Sequence, residues 1–283
     1  PSSATVAKGG SKAFTITADE GWQIADVLVD GKSVGAVSSY TFENVKAGHT
    51  IEALFRAEHQ IADPDDTGVS AWLNTKEHNA YLHGYTDGSF GPGHNMTRAE
   101  AAQMFYNLLL DQDAAKTASF DDVASDAWYA DAVNTLASIG ILQGVGGSRF
   151  APERSITRAE FTAIAMRFAK LDTRGEASFS DVSKDDWFYG QVVGAVRYGW
   201  ITGYEDGTFR PNHTITRAEA AVLTNRLLAR SPDERYVDAH SGGIRQFSDM
   251  TSGHWAYYPI MEAANSHDYE KTTNSERWLQ PEP

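Results

Sequence analysis

The stretch MTRAEAAQMF, Met96–Phe105, decides how this chain is read, because its core returns twice, as ITRAEFTAIA at Ile156–Ala165 and as ITRAEAAVLT at Ile215–Thr224. The recurrence has a period of about 60 residues, the mark of a repeat architecture. A threonine followed three residues later by glutamate, ahead of an apolar run, is a capping box. Thr97, Thr157 and Thr216 are therefore expected to be N-caps, with Glu100, Glu160 and Glu219 reaching back to the cap amides. Each predicted helix has one apolar stripe: Ala101, Met104 and Leu108; Phe161, Ile164 and Phe168; Ala220, Leu223 and Leu227. Matching stripes suggest three helices meeting on a common axis.

Capping explains the threonine and the glutamate but not the arginine between them. A cation in the first turn opposes the helix dipole by roughly 0.3–1 kcal/mol. Arg98, Arg158 and Arg217 keep it at the same position three times, so the position is used. Two uses fit equally well. A guanidinium beside a helix N-terminus can grip a carboxylate or phosphate, or it can form a salt bridge between repeats.

Ahead of each helix lies a glycine-rich loop: GYTDGSFGP at Gly84–Pro92, GVGGSRFAP at Gly144–Pro152 and GYEDGTFRP at Gly203–Pro211. Loop plus helix defines an arginine half-repeat at 84–110, 144–170 and 203–229. Asp87-Gly88 and Asp206-Gly207 are strong turn signals. Those four residues, with Tyr85 and Tyr204, are also candidate ligand contacts. The second copy departs, with Gly147 and Ser148 in place of Asp-Gly.

A complementary tryptophan half reads Phe-x-Asp-(Val/Met) and then Trp. It occurs at 120–143, 179–202 and 247–267, with Trp128, Trp187 and Trp255. These tryptophans are expected to be core anchors rather than sugar platforms, and Trp72 lies outside their register. The chain opens with an arginine half and ends with a tryptophan half. If each packs on its complement, the last closes onto the first, which predicts a pseudo-threefold ring.

Residues 1–57 read differently. AFTITADEGWQIADVLVDGKSV alternates apolar and polar residues, and Asp30-Gly31 marks a hairpin turn. About four short strands in an all-β domain are expected, then a linker over 58–68 and the helical repeats over 69–283. The acidic DPDDTG run in the linker has some look of a calcium loop but lacks the distal bidentate glutamate, so no metal site is assigned.

Composition narrows the function. With 38 Asp and Glu against 24 Lys and Arg, the net charge is −14, which disfavours nucleic acid and anionic membrane as partners. A small anion held by a few arginines stays compatible with it. The chain has no cysteine, which excludes disulfides and thiolate metal sites. No apolar run reaches the roughly 18–20 residues of a spanning helix.

Taken together, the Gly-Tyr-x-Asp-Gly-x-Phe-x-Pro loop, the Thr-Arg-Ala-Glu helix and the Phe-x-Asp-Val…Trp segment resemble S-layer homology (SLH) domains in triplicate, over about residues 69–280. The resemblance implies a mainly α fold: a pseudo-threefold ring of three units around a central three-helix bundle, closed by the C-terminal half-repeat. It implies non-covalent binding of secondary cell wall polysaccharide, commonly through pyruvate-ketal sugars, with the acidic group assigned to Arg98, Arg158 and Arg217. It places the protein outside the cell, in the wall or S-layer, and allows self-association there. No cofactor is implied. The β module resembles divergent internalin-B-type repeats of Gram-positive surface proteins, which implies a spacer or adhesive role. Two other functions are weighed. A wall-active glycosidase needs two placed carboxylates, but the marked acids here sit in turns and caps, and no His-Glu-x-x-His or Gly-x-Ser-x-Gly occurs. A lattice-forming or adhesive protein would use the same arginines between subunits. The reading adopted is a binding module, not an enzyme.

Overall fold

In the computed structural model, residues 4–18, 22–35, 37–57, 61–272 and 275–281 are described. The chain divides into two units, Pro1–Gln60 and Ile61–Pro283.

The first unit contains five strands: β1 (Lys12–Thr15), β2 (Trp22–Val29), β3 (Lys32–Ser33), β4 (Ser39–Phe42) and β5 (Ile51–Ala57). β1 pairs with β4, and β2 lies between β3 and β5, all antiparallel. Asp30 and Gly31 both have positive φ, 51° and 77°, the backbone that matches a two-residue turn to the twist of its strands. Val27 is fully buried, whereas Leu54 and Phe55 stay about two-fifths exposed.

The second unit starts inside the expected linker. Residues 61–68 include helix α1 (Pro64–Thr67), capped by Asp63, whose side chain accepts from the Asp65 amide. Thr67 is fully buried and its carbonyl accepts from the Lys170 amide. The acidic run is thus a helix start docked onto the repeats, which corrects the 58–68 linker assignment.

Then follow α2 (Arg98–Leu108), α3 (Ala130–Ser138), α4 (Arg158–Arg167), α5 (Tyr189–Arg197), α6 (Arg217–Leu227), α7 (Glu234–Ala239) and α8 (Tyr257–Ala264). A hairpin, β6 (His267–Lys271) and β7 (Glu276–Pro281), ends the unit. The sequence reading contains no such hairpin.

Helices α2, α4 and α6 touch one another. Phe105 packs on Phe161 and Phe168 with ring centroids 5.3 and 5.2 Å apart, the Thr224 hydroxyl donates to Met104 Sδ at 3.8 Å, and α4 packs on α6. Each also carries an outer helix, α3 on α2, α5 on α4 and α8 on α6. The expected stripes are buried, but so are Ala159, Thr162, Ala163 and Ala165 on α4. Being enclosed on several sides, these helices need small residues away from the stripe.

Just before the helices, three amides close a cycle. Met96 N–H donates to the Ile215 carbonyl, Ile215 to Ile156, and Ile156 to Met96, at 2.9–3.0 Å.

The tryptophan assignment is corrected. Trp128, Trp187 and Trp255 are 60, 62 and 64% exposed. The phenylalanine of each Phe-x-Asp packs against the core instead, Phe247 buried and Phe120 and Phe179 half-buried: Phe120 packs on Phe150, Phe179 on Phe209 and Phe247 on Phe90, with centroids 5.1–5.6 Å apart. One ring fills each junction, and the tryptophan lies in the turn before the outer helix. Among the residues whose burial is described, Trp200 and Trp278 are the buried tryptophans.

Candidate functional site

The three capping boxes are present: Thr97, Thr157 and Thr216 accept from the amides of Glu100, Glu160 and Glu219, whose carboxylates accept from the cap amides. The remaining first-turn amides are also taken. Arg98 N–H donates to the Arg154 carbonyl and Ala99 N–H to that of Pro152. Arg158 and Ala159 donate to His213 and Pro211, and Arg217 and Ala218 to His94 and Pro92. The helix N-termini are therefore not open anion sites. Their donors bind the next loop of the protein itself.

The arginine side chains follow the same circuit. Arg98 Nε donates to the Phe150 carbonyl at 2.8 Å and Nη2 to that of Gln143 at 2.7 Å. Arg158 Nε donates to the Phe209 carbonyl at 2.9 Å. Arg217 donates to the carbonyls of Phe90 and His83 at 2.9 and 2.5 Å. The Nη1 groups face the next capping glutamate: Glu160 at 4.0 Å, Glu219 at 3.1 Å and Glu100 at 4.0 Å. Each guanidinium also lies over the loop phenylalanine, 4.4–5.0 Å from the ring centroid. The unfavourable dipole position is thus offset by carbonyls and a carboxylate from another repeat. Burial pulls the Arg98 guanidinium below its ordinary value, and Glu160 opposes that.

The loop aspartates act locally. Asp87 accepts from the amide and hydroxyl of Ser89, and Asp206 from those of Thr208. The Thr208 hydroxyl, then Arg210, hold the Asp206 carboxyl down to about 2. Gly88 and Gly207 have φ of 83° and 76°, and Ser148 keeps the same turn at 57°. Tyr204 donates to the Glu219 carboxylate, and Tyr85 is 39% exposed.

The aspartate of each Phe-x-Asp is the residue that sequence reasoning undervalued. Asp122 accepts from the amides of Phe150 and Ala151, Asp181 from Phe209 and Arg210, and Asp249 from Phe90 and Gly91, all at 2.7–2.8 Å. Its recurrence two residues after Phe120, Phe179 and Phe247, where no helix cap calls for it, is the signal that marks it.

Two grooves collect these features. One, of about 580 Å³, is lined by Arg158, Tyr204, Asp206, Arg210, Arg226 and Trp255, with Glu205 and Glu219. The other, of about 470 Å³, is lined by Arg98, Arg154, Arg167 and Trp187, with Glu160 and Val145. Both fall within the roughly 300–1,000 Å³ of small-ligand sites. Three arginines face three acids in the first, but three arginines face one glutamate in the second. The departures in the second loop, Val145 for tyrosine and Gly147 for aspartate, remove a carboxylate and a phenol from the more cationic groove. At the positions equivalent to Arg167 and Arg226, the first repeat has Asn107. Both grooves pair a cation with an exposed indole, a surface suited to a sugar bearing an acid.

The sequence profile of the S-layer homology domain matches residues 77–102, 119–162 and 178–221. The chain carries three S-layer homology domains and is an extracellular, cell-wall-associated protein. It is 34% identical over 212 residues to a cellulosome-anchoring protein of Acetivibrio thermocellus, covering 71% of this chain and 46% of that protein. It is 34% identical over 235 residues to cell surface glycoprotein 1 of the same organism, covering 78% of this chain and 10% of that one. The surface-layer 125 kDa protein of Lysinibacillus sphaericus is 36% identical over 152 residues, 52% of this chain and 13% of that protein. The chain thus spans less than half the length of these relatives.

Proposed function

We propose that this chain holds a surface protein non-covalently to the wall by binding an acidic secondary cell wall polysaccharide, with a pyruvate-ketal sugar in its arginine-lined grooves. The observation that carries the reading is the groove at Arg98: three arginines, one glutamate and an exposed tryptophan on a chain of net charge −14. A carboxylate is drawn to the guanidinium cluster, and the sugar's apolar face lies against Trp187. Arg98, Arg158 and Arg217 serve both as interlocks between repeats and as groove walls. Charge ranks the Arg98 groove ahead of the Arg158 groove.

The circuit of arginines and the closed cycle of Met96, Ile156 and Ile215 support a pseudo-threefold ring around α2, α4 and α6. Asp249 on Phe90 is the closing contact. The β module serves as a spacer or adhesive element.

Calorimetric titration with purified wall polysaccharide, before and after mild acid removal of ketal-linked pyruvate, tests the reading. Binding should disappear with the pyruvate. Arg154→Gln and Arg167→Gln, at the groove wall and leaving the Arg98 side chain with its Phe150 and Gln143 carbonyls, should together weaken binding about tenfold or more, roughly 1.4 kcal/mol. Binding unchanged by both treatments would refute recognition of the acid.

A further inference from the structure

Far from the grooves in role, the second unit contains a buried group that the anchor reading does not use. Behind the terminal hairpin, His78, Glu262 and His267 come from three places: the segment entering the first repeat, helix α8 and strand β6. All three are buried, and Glu262 is fully so. His78 Nδ1 is 3.0 Å from His267 Nε2 and 3.0 Å from Glu262 Oε1, and His267 Nε2 is 3.4 Å from Glu262 Oε2.

Proton counting makes this arrangement informative. His267 Nδ1 donates to the Asn265 carbonyl at 2.9 Å, so Nε2 of the neutral ring carries a lone pair. His78 Nδ1 faces that lone pair and a carboxylate oxygen, and it has at most one proton for the two. Glu262 Oε1 is buried and has no hydrogen-bond partner among the described residues. Glu262 Oε2 does have one, accepting from Trp278 Nε1 at 3.0 Å. Lone pairs therefore converge on one point with too few protons to satisfy them, which is costly inside a protein.

We propose that His78, Glu262 and His267 bind a divalent transition-type cation, zinc first. A tetrahedral ion with bonds near 2.0–2.1 Å holds its ligand atoms roughly 3.3 Å apart; the two imidazole nitrogens are 3.0 Å apart, and the carboxylate brings one oxygen to 3.0 Å from His78 and the other to 3.4 Å from His267. Two imidazoles and one carboxylate suit zinc, not calcium or magnesium, which take oxygen sets. One outer partner is in place too: the Nδ1–H of His267 on the Asn265 carbonyl sets its tautomer. The Nε2 of His78 lies 3.8 Å from Glu276 Oε1, beyond direct hydrogen-bond reach. Both rings are held by stacking, His78 on Tyr269 and His267 on Trp278, at centroid distances of 3.8 and 3.7 Å. The buried Arg230 adds positive charge nearby, but its hydrogen bonds go to the carbonyls of Asn74, Glu77 and Asn79, and none donates to Glu262. Geometry, rather than charge balance, points to the ion. Its effect would be to staple the chain entering the first repeat to the last helix and the terminal hairpin.

The test uses the whole chain, stripped with a chelator and dialysed against zinc, calcium or magnesium. Elemental analysis should find one zinc per chain. The melting temperature should rise by roughly 5–10 °C at about a hundredfold excess of zinc over Kd, with no such rise for calcium or magnesium. His267→Gln and Glu262→Gln should each lower zinc to a small fraction of one equivalent and remove the melting shift. Less than stoichiometric zinc in the wild type at micromolar free metal would overturn the proposal. So would full retention in both variants, which would place the metal on surface histidines. Should neither variant fold, Co2+ loading of the wild type decides: strong visible d–d bands of a four-coordinate site support it, and the weak spectrum of hydrated cobalt overturns it.

Discussion

The carboxylate of Asp249 accepts hydrogen bonds from the backbone amides of Phe90 and Gly91, 2.8 Å each, across 159 and 158 residues of chain. The same contact joins Asp122 to Phe150 and Asp181 to Phe209 only 28 residues apart. A local link in two repeats is thus a long-range link in the third. Asp249→Ala should lower stability by about 1.5 kcal/mol, since two amides lose a charged acceptor that is itself partly solvated. The melting temperature should fall by roughly 3–6 °C. An unchanged melt would show that the long-range link contributes nothing.

Acid should loosen the same contacts. Burial pushes the carboxyls of Asp122 and Asp249 up, but the amides that donate to them outweigh it and hold both below the ordinary 3.8. A group depressed in the folded state stabilises fully above its unfolded value and loses that contribution as pH falls through its folded one. The melting temperature should therefore drop as pH is taken below about 3.8, and Asp249→Asn should make that drop shallower. An equally steep acid limb in the variant would assign acid sensitivity elsewhere.

Arg98 and Trp187 line one groove but should separate in their effects. Arg98→Ala leaves the carbonyls of Phe150 and Gln143 without their donor, and should cost about 2–4 kcal/mol in urea unfolding. Arg98→Lys should recover little, because a lysine cannot reproduce the forked geometry. Trp187→Ala, at an exposed position, should change stability by less than about 0.5 kcal/mol while weakening polysaccharide binding. A large stability loss for Trp187→Ala would restore the core-anchor assignment.

Gly144 is required by its neighbours rather than by its own backbone angle. A Cβ there would lie 2.6 Å from the Arg149 carbonyl oxygen and 2.7 Å from the Phe120 ring. Gly144→Ala should destabilise by about 1–3 kcal/mol, and Phe120→Leu in the same chain should return part of it. Additive losses in the double variant, measured by denaturant melts, would show that the ring is not the obstacle.

Much of the helical architecture was legible because its signals are local. Thr97 and Glu100 lie three residues apart, within one helical turn, and Asp30-Gly31 specifies its own turn. Repetition supplied the rest: the order of half-repeats already asks Phe247 and Asp249 to find Phe90. The terminal hairpin is not legible because Glu270, Lys271 and Arg277 make its outer positions polar, while the polar His267 and Glu276 share its buried positions with Trp278, so no apolar alternation marks it. The buried triad was equally silent, since His78 and His267 are 189 residues apart and neither falls in a motif.

The sequence by itself determined the helices, their caps and the repeat period, all of which depend on residues close in the chain or on copies of one pattern. Only the tertiary structure decided what the arginines hold, which aromatic ring enters each junction and where charge accumulates in a groove. Those outcomes depend on groups from different repeats competing for the same donors and the same space. Half-buried Phe120 packs on the core where Trp128 was expected to, and the Gln143 and Phe150 carbonyls reach Arg98 before any ligand does.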